Sequence, residues 1–520
     1  MTEPPPTATP SIAGYFPTHR QIAVLVLILL IAGFLRFYHI TQSSLWMDEL
    51  WSIEMSVGRG SVHDHLPTGV IQTASLNLTD ISTAPAWWKI WTHLNGYPHP
   101  PLYILTLRWW MDLFGTSPLA IRSLSAIFSV AAIAVLFDVG RLLGPPRIAI
   151  LAAAIMTLAV GQIDAAQDAR SYAMVIFLCL GAADLLVRIE LFGIKLARLV
   201  GLLLLCSAAI LTHYLAVGAI AALGGYALIG LRGRTRLAAV GALCAAGVLV
   251  LAVWGYWLRG QIGTLPSVHP QYLSEPAGHH VRSTLLRLIG VPTRFLVGDS
   301  LAADMPWAVP VVVAILAYGL PLVGIFRDRL SLLGLLWMLG TIGLAGVTDL
   351  VRGSVLLVYL RYVILGSPAV YAILASINWP RRPVLADAVP LLTIVLLAVF
   401  AGQGLSGGLE SKDDWRQLVG DLNRAAASDD LLVFCGNDPW ISPGTWYMAL
   451  NYYFPHSRRP WLVLNRPADA ALLHQLRTRN SLWVIGKFPT ADGPRLLPGW
   501  HPVGLEEITS AGAFCHMERN

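Results

Sequence analysis

Residues 22–51 read IAVLVLILLIAGFLRFYHITQSSLWMDELW, and this stretch decides the fold. Its first half, Ile22 to Leu35, carries no charge, and His19 and Arg20 precede it. A bilayer core takes roughly 20 apolar residues of helix, a length the run reaches by continuing through Phe37 and Tyr38. No small-x-small cleavage site follows, so the segment reads as an uncleaved first span rather than a signal peptide. The second half turns polar and then presents two adjacent carboxylates, Asp48 and Glu49, among Leu45, Trp46, Leu50 and Trp51. Aromatic residues close to the end of a span mark the membrane interface.

The rest of the chain agrees. Of 520 residues 55% are hydrophobic and 13% charged, against about a quarter charged in soluble domains. Mean hydropathy is +0.61. The formal charge of +6 is spread in small groups between apolar runs, which excludes a nucleic-acid surface and instead reports topology. Further spans are expected near 120–140, 147–163, 172–189, 198–213, 215–231, 237–257, 307–326, 331–349, 358–378 and 385–405, making about eleven with the first. An N-terminus inside makes the inner connections Arg141–Arg147, Arg188–Arg198, Arg232–Arg236, Arg327–Arg329 and Arg381–Arg382. All are short and basic, as the positive-inside rule requires.

The expected architecture is therefore a polytopic α-helical membrane protein. Residues 1–20 form a disordered cytoplasmic tail and 21–405 the transmembrane part. The first outer loop, 41–119, holds interfacial helices, including an amphipathic segment at 102–114. Residues 406–520 change character: short apolar runs at 431–434, 461–464 and 482–485 read as strands, with helices at 413–427, 443–453 and 467–479. This predicts a small extracytoplasmic α/β domain, reached through the glycine-rich linker 402–408. Cys179, Cys206 and Cys244 lie in apolar runs, while Cys435 and Cys515 fall in the outer domain, where a disulfide is open to them. There is no CxxC pair and no convincing ligand set for a divalent metal. Asn77-Leu78-Thr79 is a sequon by pattern alone.

Candidate site residues gather on the outer side of this topology. Asp48 and Glu49 suit acid–base work, or alternatively cap the interfacial helix. His99, held between prolines in Tyr97-Pro98-His99-Pro100-Pro101, offers a hydrogen bond or a positive charge to a phosphate, or is merely exposed. Asp168, Arg170 and Tyr172 sit where the third and fourth spans meet, a place for sugar and phosphate or for a wet loop with a local ion pair. Arg361 and Tyr362 begin the tenth span. A guanidinium there matches a phosphate or simply snorkels to the headgroups. Arg36 has the same two readings. Trp415, Trp440, Trp446 and Tyr452-Tyr453 either stack on sugars or pack the outer domain.

These residues resemble the GT-C glycosyltransferases, in the branch of protein O-mannosyltransferases and aminoarabinose transferases. Leu35-Arg36-Phe37-Tyr38 leading into Ser44-Leu45-Trp46-Met47-Asp48-Glu49 resembles that branch's entry to the first loop. His99-Pro100-Pro101-Leu102-Tyr103, Phe114-Gly115 with Ala120-Ile121-Arg122-Ser123-Leu124, and Gln167-Asp168-Ala169-Arg170-Ser171-Tyr172-Ala173 resemble later elements. Lys412-Asp413-Asp414-Trp415-Arg416 resembles an element after the last span. The likeness is detailed over 30–180 and mainly hydropathic from 181 to 410. It implies a polyprenyl-phosphate-sugar donor and inverting transfer to a glycan, lipid or protein acceptor on the outer face of the cytoplasmic membrane. It casts Asp48 as base, Glu49 as its neighbour and His99, Arg170 and Arg361 as phosphate ligands. Asp168 stands where the family more often has Glu. The branch generally needs no metal. Two other readings remain open at this point: a transporter or flippase of lipid-linked sugars, and a non-catalytic membrane partner.

Overall fold

The computed structural model describes residues 16–94, 97–268, 280–324, 326–377, 387–407, 413–436, 442–455 and 457–519. The expected N-terminal tail to residue 15, Arg381–Arg382, Lys412 and Trp440 lie outside them. The first helix, α1 (His19–Phe37), starts at a capping box: Thr18 Oγ accepts from the Gln21 N–H while Gln21 Oε1 accepts from the Thr18 N–H. The first outer loop follows, with α2 (Met47–Val57) and α3 (Pro101–Phe114). Then come α4 (Pro118–Leu143), α5 (Pro146–Leu158), α6 (Val160–Ala166), α7 (Tyr172–Phe192), α8 (Leu196–Thr212), α9 (Ala216–Gly230) and α10 (Gly233–Val268). The helical part closes with α11 (His280–Ala303), α12 (Ala308–Gly324), α13 (Arg329–Arg352), α14 (Leu360–Ser376) and α15 (Ala388–Gly407).

Among the described residues, each of the eleven apolar segments marked on the sequence is mainly helical. By length and composition alone, four described helices, α1, α4, α10 and α13, are long and apolar enough to cross a membrane. The α5–α6 pair, bent by 63°, makes a fifth. The bend sits at Ala159, whose backbone is extended (φ −62°, ψ 115°). It leaves carbonyls at the end of α5 without helical partners, and Arg36 supplies them. Its guanidinium donates to Met156 O and Thr157 O, both at 3.1 Å, and its Nε to Ser129 Oγ at 2.7 Å. Arg36 has no exposed surface. It neither snorkels nor waits for a phosphate, and both sequence readings of it give way to that of a buried helix cap.

The helices pack through small residues. A Cβ on Gly218 of α9 would lie 2.0 Å from Gly340 O of α13, so both positions are closed to any side chain. Such close backbone approach is the usual means by which apolar helices associate without a hydrophobic drive.

The C-terminal part adds α16 (Trp415–Ala425), β1 (Leu432–Cys435), α17 (Gly444–Tyr453), β2 (Trp461–Leu464), α18 (Ala470–Leu476), β3 (Ser481–Gly486), α19 (Pro489–Leu496), β4 (Trp500–Thr509) and β5 (Gly512–Arg519). The sheet order is β2-β1-β3-β5-β4, parallel among the first three strands and antiparallel from β3 to β5 to β4. The three expected strands are there, and β4 and β5 are additions. Two expectations need correction. The 402–407 stretch is the last turn and a half of α15, not a linker. Cys515 opposes Val484, which opposes Val433. Cys435 lies two strands and two residues along from Cys515, so the two are more than about 9.5 Å apart at ordinary strand spacing, too far for a disulfide.

The first outer loop is built into this sheet. Gln72 and Trp461 exchange backbone hydrogen bonds at 2.8 and 2.9 Å, and the Gly69 N–H donates to Val463 O at 2.9 Å, covering the β2 edge. Tyr453 of α17 accepts from the Leu45 N–H at 2.9 Å, three residues ahead of Asp48.

Candidate functional site

Asp48 and Glu49 open α2, and the structure divides their work. Glu49 Oε2 accepts from the Trp46 N–H at 3.2 Å and thereby starts the helix. Its other contacts are stronger: Arg122 of α4 donates through Nε to Oε1 at 2.7 Å and through Nη2 to Oε2 at 2.6 Å. The Ala169 N–H donates to Oε1 at 2.8 Å. Neither side chain of this ion pair has exposed surface. Arg122 also donates to the carbonyls of Ile40 at 2.8 Å, Ser43 at 3.0 Å and Ser44 at 2.8 Å. Glu49 thus ties α2 to α4 and to the 167–171 turn, and turns no free oxygen outward. The capping work expected of Asp48 falls to Glu49.

Asp48 is left for other use. Its Oδ2 lies 3.6 Å from Arg170 Nη2 and 3.4 Å from Arg361 Nη1. Arg170 is 4% exposed. Its Nη1 donates to Asp48 O at 3.0 Å, Ser52 Oγ at 3.1 Å and Tyr97 OH at 2.6 Å, and its Nη2 meets His99 Nε2 at 3.1 Å. An Arg N–H donates only, so His99 Nε2 is the lone-pair nitrogen and the ring proton sits on Nδ1. Burial, then the charges of Arg170, His213 and Arg361, hold the His99 imidazole well below its ordinary range. His99 is accordingly neutral near pH 7. The sequence reading that gave it a positive charge for a phosphate is corrected: it is an acceptor that steadies Arg170.

The Gln167–Tyr172 turn divides several tasks among its residues. Gln167 Nε2 donates to the carbonyls of Leu35, Arg36 and Tyr38, closing the end of α1. Ala169 meets Glu49 and Arg170 meets Asp48, while Asp168 and Tyr172 line a cavity of about 280 Å³. Trp46, Asp164, Asp299, Tyr359, Arg361 and Asp413 line it too. Arg361 is the cation on its wall. The guanidinium lies 5.2 Å from the Trp46 ring centre, 4.9 Å from Tyr359 and 5.3 Å from Tyr362, an aromatic frame that orients it without neutralising it. Buried Asp349 holds the segment before it, accepting from the Leu356 N–H at 2.7 Å and the Leu357 N–H at 2.9 Å. Snorkelling to headgroups is not what positions Arg361.

The arrangement sets a carboxylate and an accessible guanidinium at the edge of a partly enclosed cavity with sugar-sized volume and aromatic and acidic walls. It suits a polar, phosphate-bearing ligand. Among the described residues, no group of three or more His, Cys, Asp or Glu can hold a metal ion.

Residues 98–257 match the family model described as dolichyl-phosphate-mannose-protein mannosyltransferase. The chain resembles the GT-C membrane glycosyltransferases. ArnT from Cupriavidus metallidurans in the apo state is similar at 13% identity and a TM-score of 0.44, over 95% of this chain and 97% of that one. The Archaeoglobus fulgidus oligosaccharyltransferase is similar at 12% and 0.49, over 92% and 71%. The S. cerevisiae protein O-mannosyltransferase complex bound to the sugar donor is similar at 11% and 0.36, over 55% of this chain and 38% of that one. Among curated proteins no sequence matches significantly.

Asp48, His99, Asp168, Arg170, Tyr172, Arg361 and Tyr362 come together at one place. Glu49 lies beside them, facing inward. Sequence reasoning missed Arg122, Tyr97, Tyr359 and Asp349. Arg122 was quoted only as part of a resemblance. A charge inside an apolar helix such as α4 was the available signal that it has a dedicated partner.

Proposed function

We propose that the protein is a glycosyltransferase that moves a sugar from a polyprenyl-phosphate-linked donor to an acceptor hydroxyl, with inversion, on the outer face of the cytoplasmic membrane. The carrying observation is Asp48, bracketed by Arg170 and Arg361 beside the cavity. The family described by the matching model is named for a donor of this kind, dolichyl phosphate mannose, which supports the class of donor and leaves the sugar open.

In this reading the acceptor oxygen attacks the anomeric carbon from the face opposite the phosphate. The bond from that carbon to the phosphate oxygen breaks, and its electron pair leaves with the phosphate. Asp48 takes the acceptor proton. Arg361 faces the charge that grows on the departing phosphate, the point at which an oriented cation lowers the barrier most. Arg170, fixed by Tyr97, Ser52 and His99, holds Asp48 in place. Glu49 is a positioning residue. The basic inner connections support an inside N-terminus, and with an odd number of spans the C-terminal sheet lies outside.

The test is Asp48→Asn in the purified full-length protein, supplied with membrane lipid extract as donor source and assayed by mass spectrometry of the glycosylated products. Loss of a general base costs about 10²–10⁴ in rate. Transfer within threefold of the unmodified protein would remove Asp48 from this role.

A further inference from the structure

Asp413 lines the cavity and has no part in the reaction just described. The Asp413–Arg416 element fixes it there. Asp414 accepts from the Gln417 N–H at 3.1 Å and starts α16. Trp415 is fully buried against Trp446, with ring centres 6.1 Å apart. The Arg416 N–H donates to Ser44 Oγ at 3.0 Å and its guanidinium to Thr41 O at 3.1 Å. The element therefore clamps the C-terminal part onto the chain just ahead of Asp48, and Asp413 comes with it. Burial, then the Asp48 charge, push its carboxyl above the usual range, opposed by the Trp415 indole. Among the described residues none forms an ion pair with it.

Transfer changes the charge of the lipid. The donor is a phosphodiester with one negative charge. The lipid left behind is a phosphomonoester carrying roughly −1.5 to −2 at neutral pH. Both occupy a cavity about 8 Å across, as its volume of about 280 Å³ implies. Around Asp413 stand Asp48 on α2, Asp164 on α6, Asp168, Asp299 on α11, and the cations Arg170 and Arg361. Asp299 is paired with Arg294. We propose that Asp413 is a selectivity residue, favouring the singly charged lipid phosphodiester over the doubly charged phosphomonoester and so speeding departure of the spent lipid. This rests on the lipid-phosphate reading of the cavity.

The full-length protein in nanodiscs is titrated with undecaprenyl phosphate and with its methyl ester, a phosphodiester that lacks a sugar. One unit of charge across such a cavity, at a dielectric between protein and water, changes affinity roughly threefold to tenfold. At pH 8, Asp413→Asn should tighten undecaprenyl phosphate about ninefold and the methyl ester about threefold, while Asp413→Glu matches the parent. At pH 5, below the second phosphate ionisation near 6, the two lipids should respond alike. If Asp413→Asn binds undecaprenyl phosphate as the parent does, or tightens both lipids equally at pH 8, this inference falls and the proposed function stands. If the parent protein binds neither lipid, the lipid-phosphate reading itself falls.

Discussion

Replacing Glu49 by Gln isolates the contact that ties the first outer loop to the helical part. Gln keeps the shape and one acceptor oxygen but removes the charge facing Arg122 at 2.6 Å. Arg122 keeps its three carbonyl partners, but either its Nε–H or one Nη2–H faces the amide nitrogen and loses its acceptor, and its charge is left uncompensated with no exposed surface. Breaking a buried pair in this way costs about 3–5 kcal/mol. Whichever oxygen becomes the amide nitrogen meets a donor, Ala169 N–H or Trp46 N–H, and loses that bond, worth about 1 kcal/mol more. Unfolding of Glu49→Gln, Arg122→Met and the double variant, followed by SDS titration in mixed micelles, measures this directly. Each single variant should lose at least 3 kcal/mol, and the double should lose well under the sum, a coupling above about 1 kcal/mol. The Ala169 contact also sets where Arg170 stands, so transfer by Glu49→Gln should fall even under conditions where the protein is fully folded. A single variant within about 1 kcal/mol of the parent, or strict additivity in the double, would refute the argument.

Two further outcomes follow from buried groups in the same loop. Burial works to lower the His63 imidazole, but the Glu54 carboxylate, 2.6 Å from Nδ1, outweighs it and raises the group above its ordinary value. The folded form then binds the proton more tightly, so this contribution to stability is complete below about pH 6.5 and is lost as pH rises through the higher folded value. Unfolding measured from pH 5.5 to 8.5 should show that decline, and Glu54→Gln should flatten it; a rise with pH that depends on Glu54 would be the wrong sign. Gln261 of α10 donates through Nε2 to the carbonyls of Leu94 at 3.1 Å, Tyr97 at 2.6 Å and His99 at 3.2 Å, while Tyr214 donates to its Oε1. Leu94 O keeps the Tyr97 N–H, but Gln261→Leu takes the side-chain donor from the Tyr97 and His99 carbonyls, about 1–3 kcal/mol, and should reduce the transfer rate about tenfold or more with undecaprenyl phosphate affinity unchanged, because Arg361 is held separately. Equal losses in rate and lipid affinity would show that Gln261 supports the whole cavity instead.

The helical segments were legible because hydropathy is a local property: twenty apolar residues declare themselves whatever surrounds them. The same holds for β1 and β2, apolar runs buried along their whole length, and for the apolar centre of β3. The strands β4 and β5 were not legible. Their apolar residues are spaced among His501, Glu506, Glu507, His516 and Glu518, and such a pattern does not stand out from a polar loop. At the site, the residue types were readable, but the division of labour between Asp48 and Glu49 was not. The two are adjacent in sequence, equally acidic and both in the first turn of α2. What separates them is that one helix step turns Glu49 toward Arg122, 73 positions away, while Asp48 is turned toward Arg361, 313 positions away. The same applies to His99, whose neutrality comes from burial and then from Arg170, 71 positions off. A carboxylate already satisfied by a bidentate guanidinium and two N–H groups has no oxygen to offer a substrate proton. A carboxylate held by longer contacts at a cavity edge has one. That difference, not acidity or position in the motif, makes Asp48 rather than Glu49 the residue to test as the base.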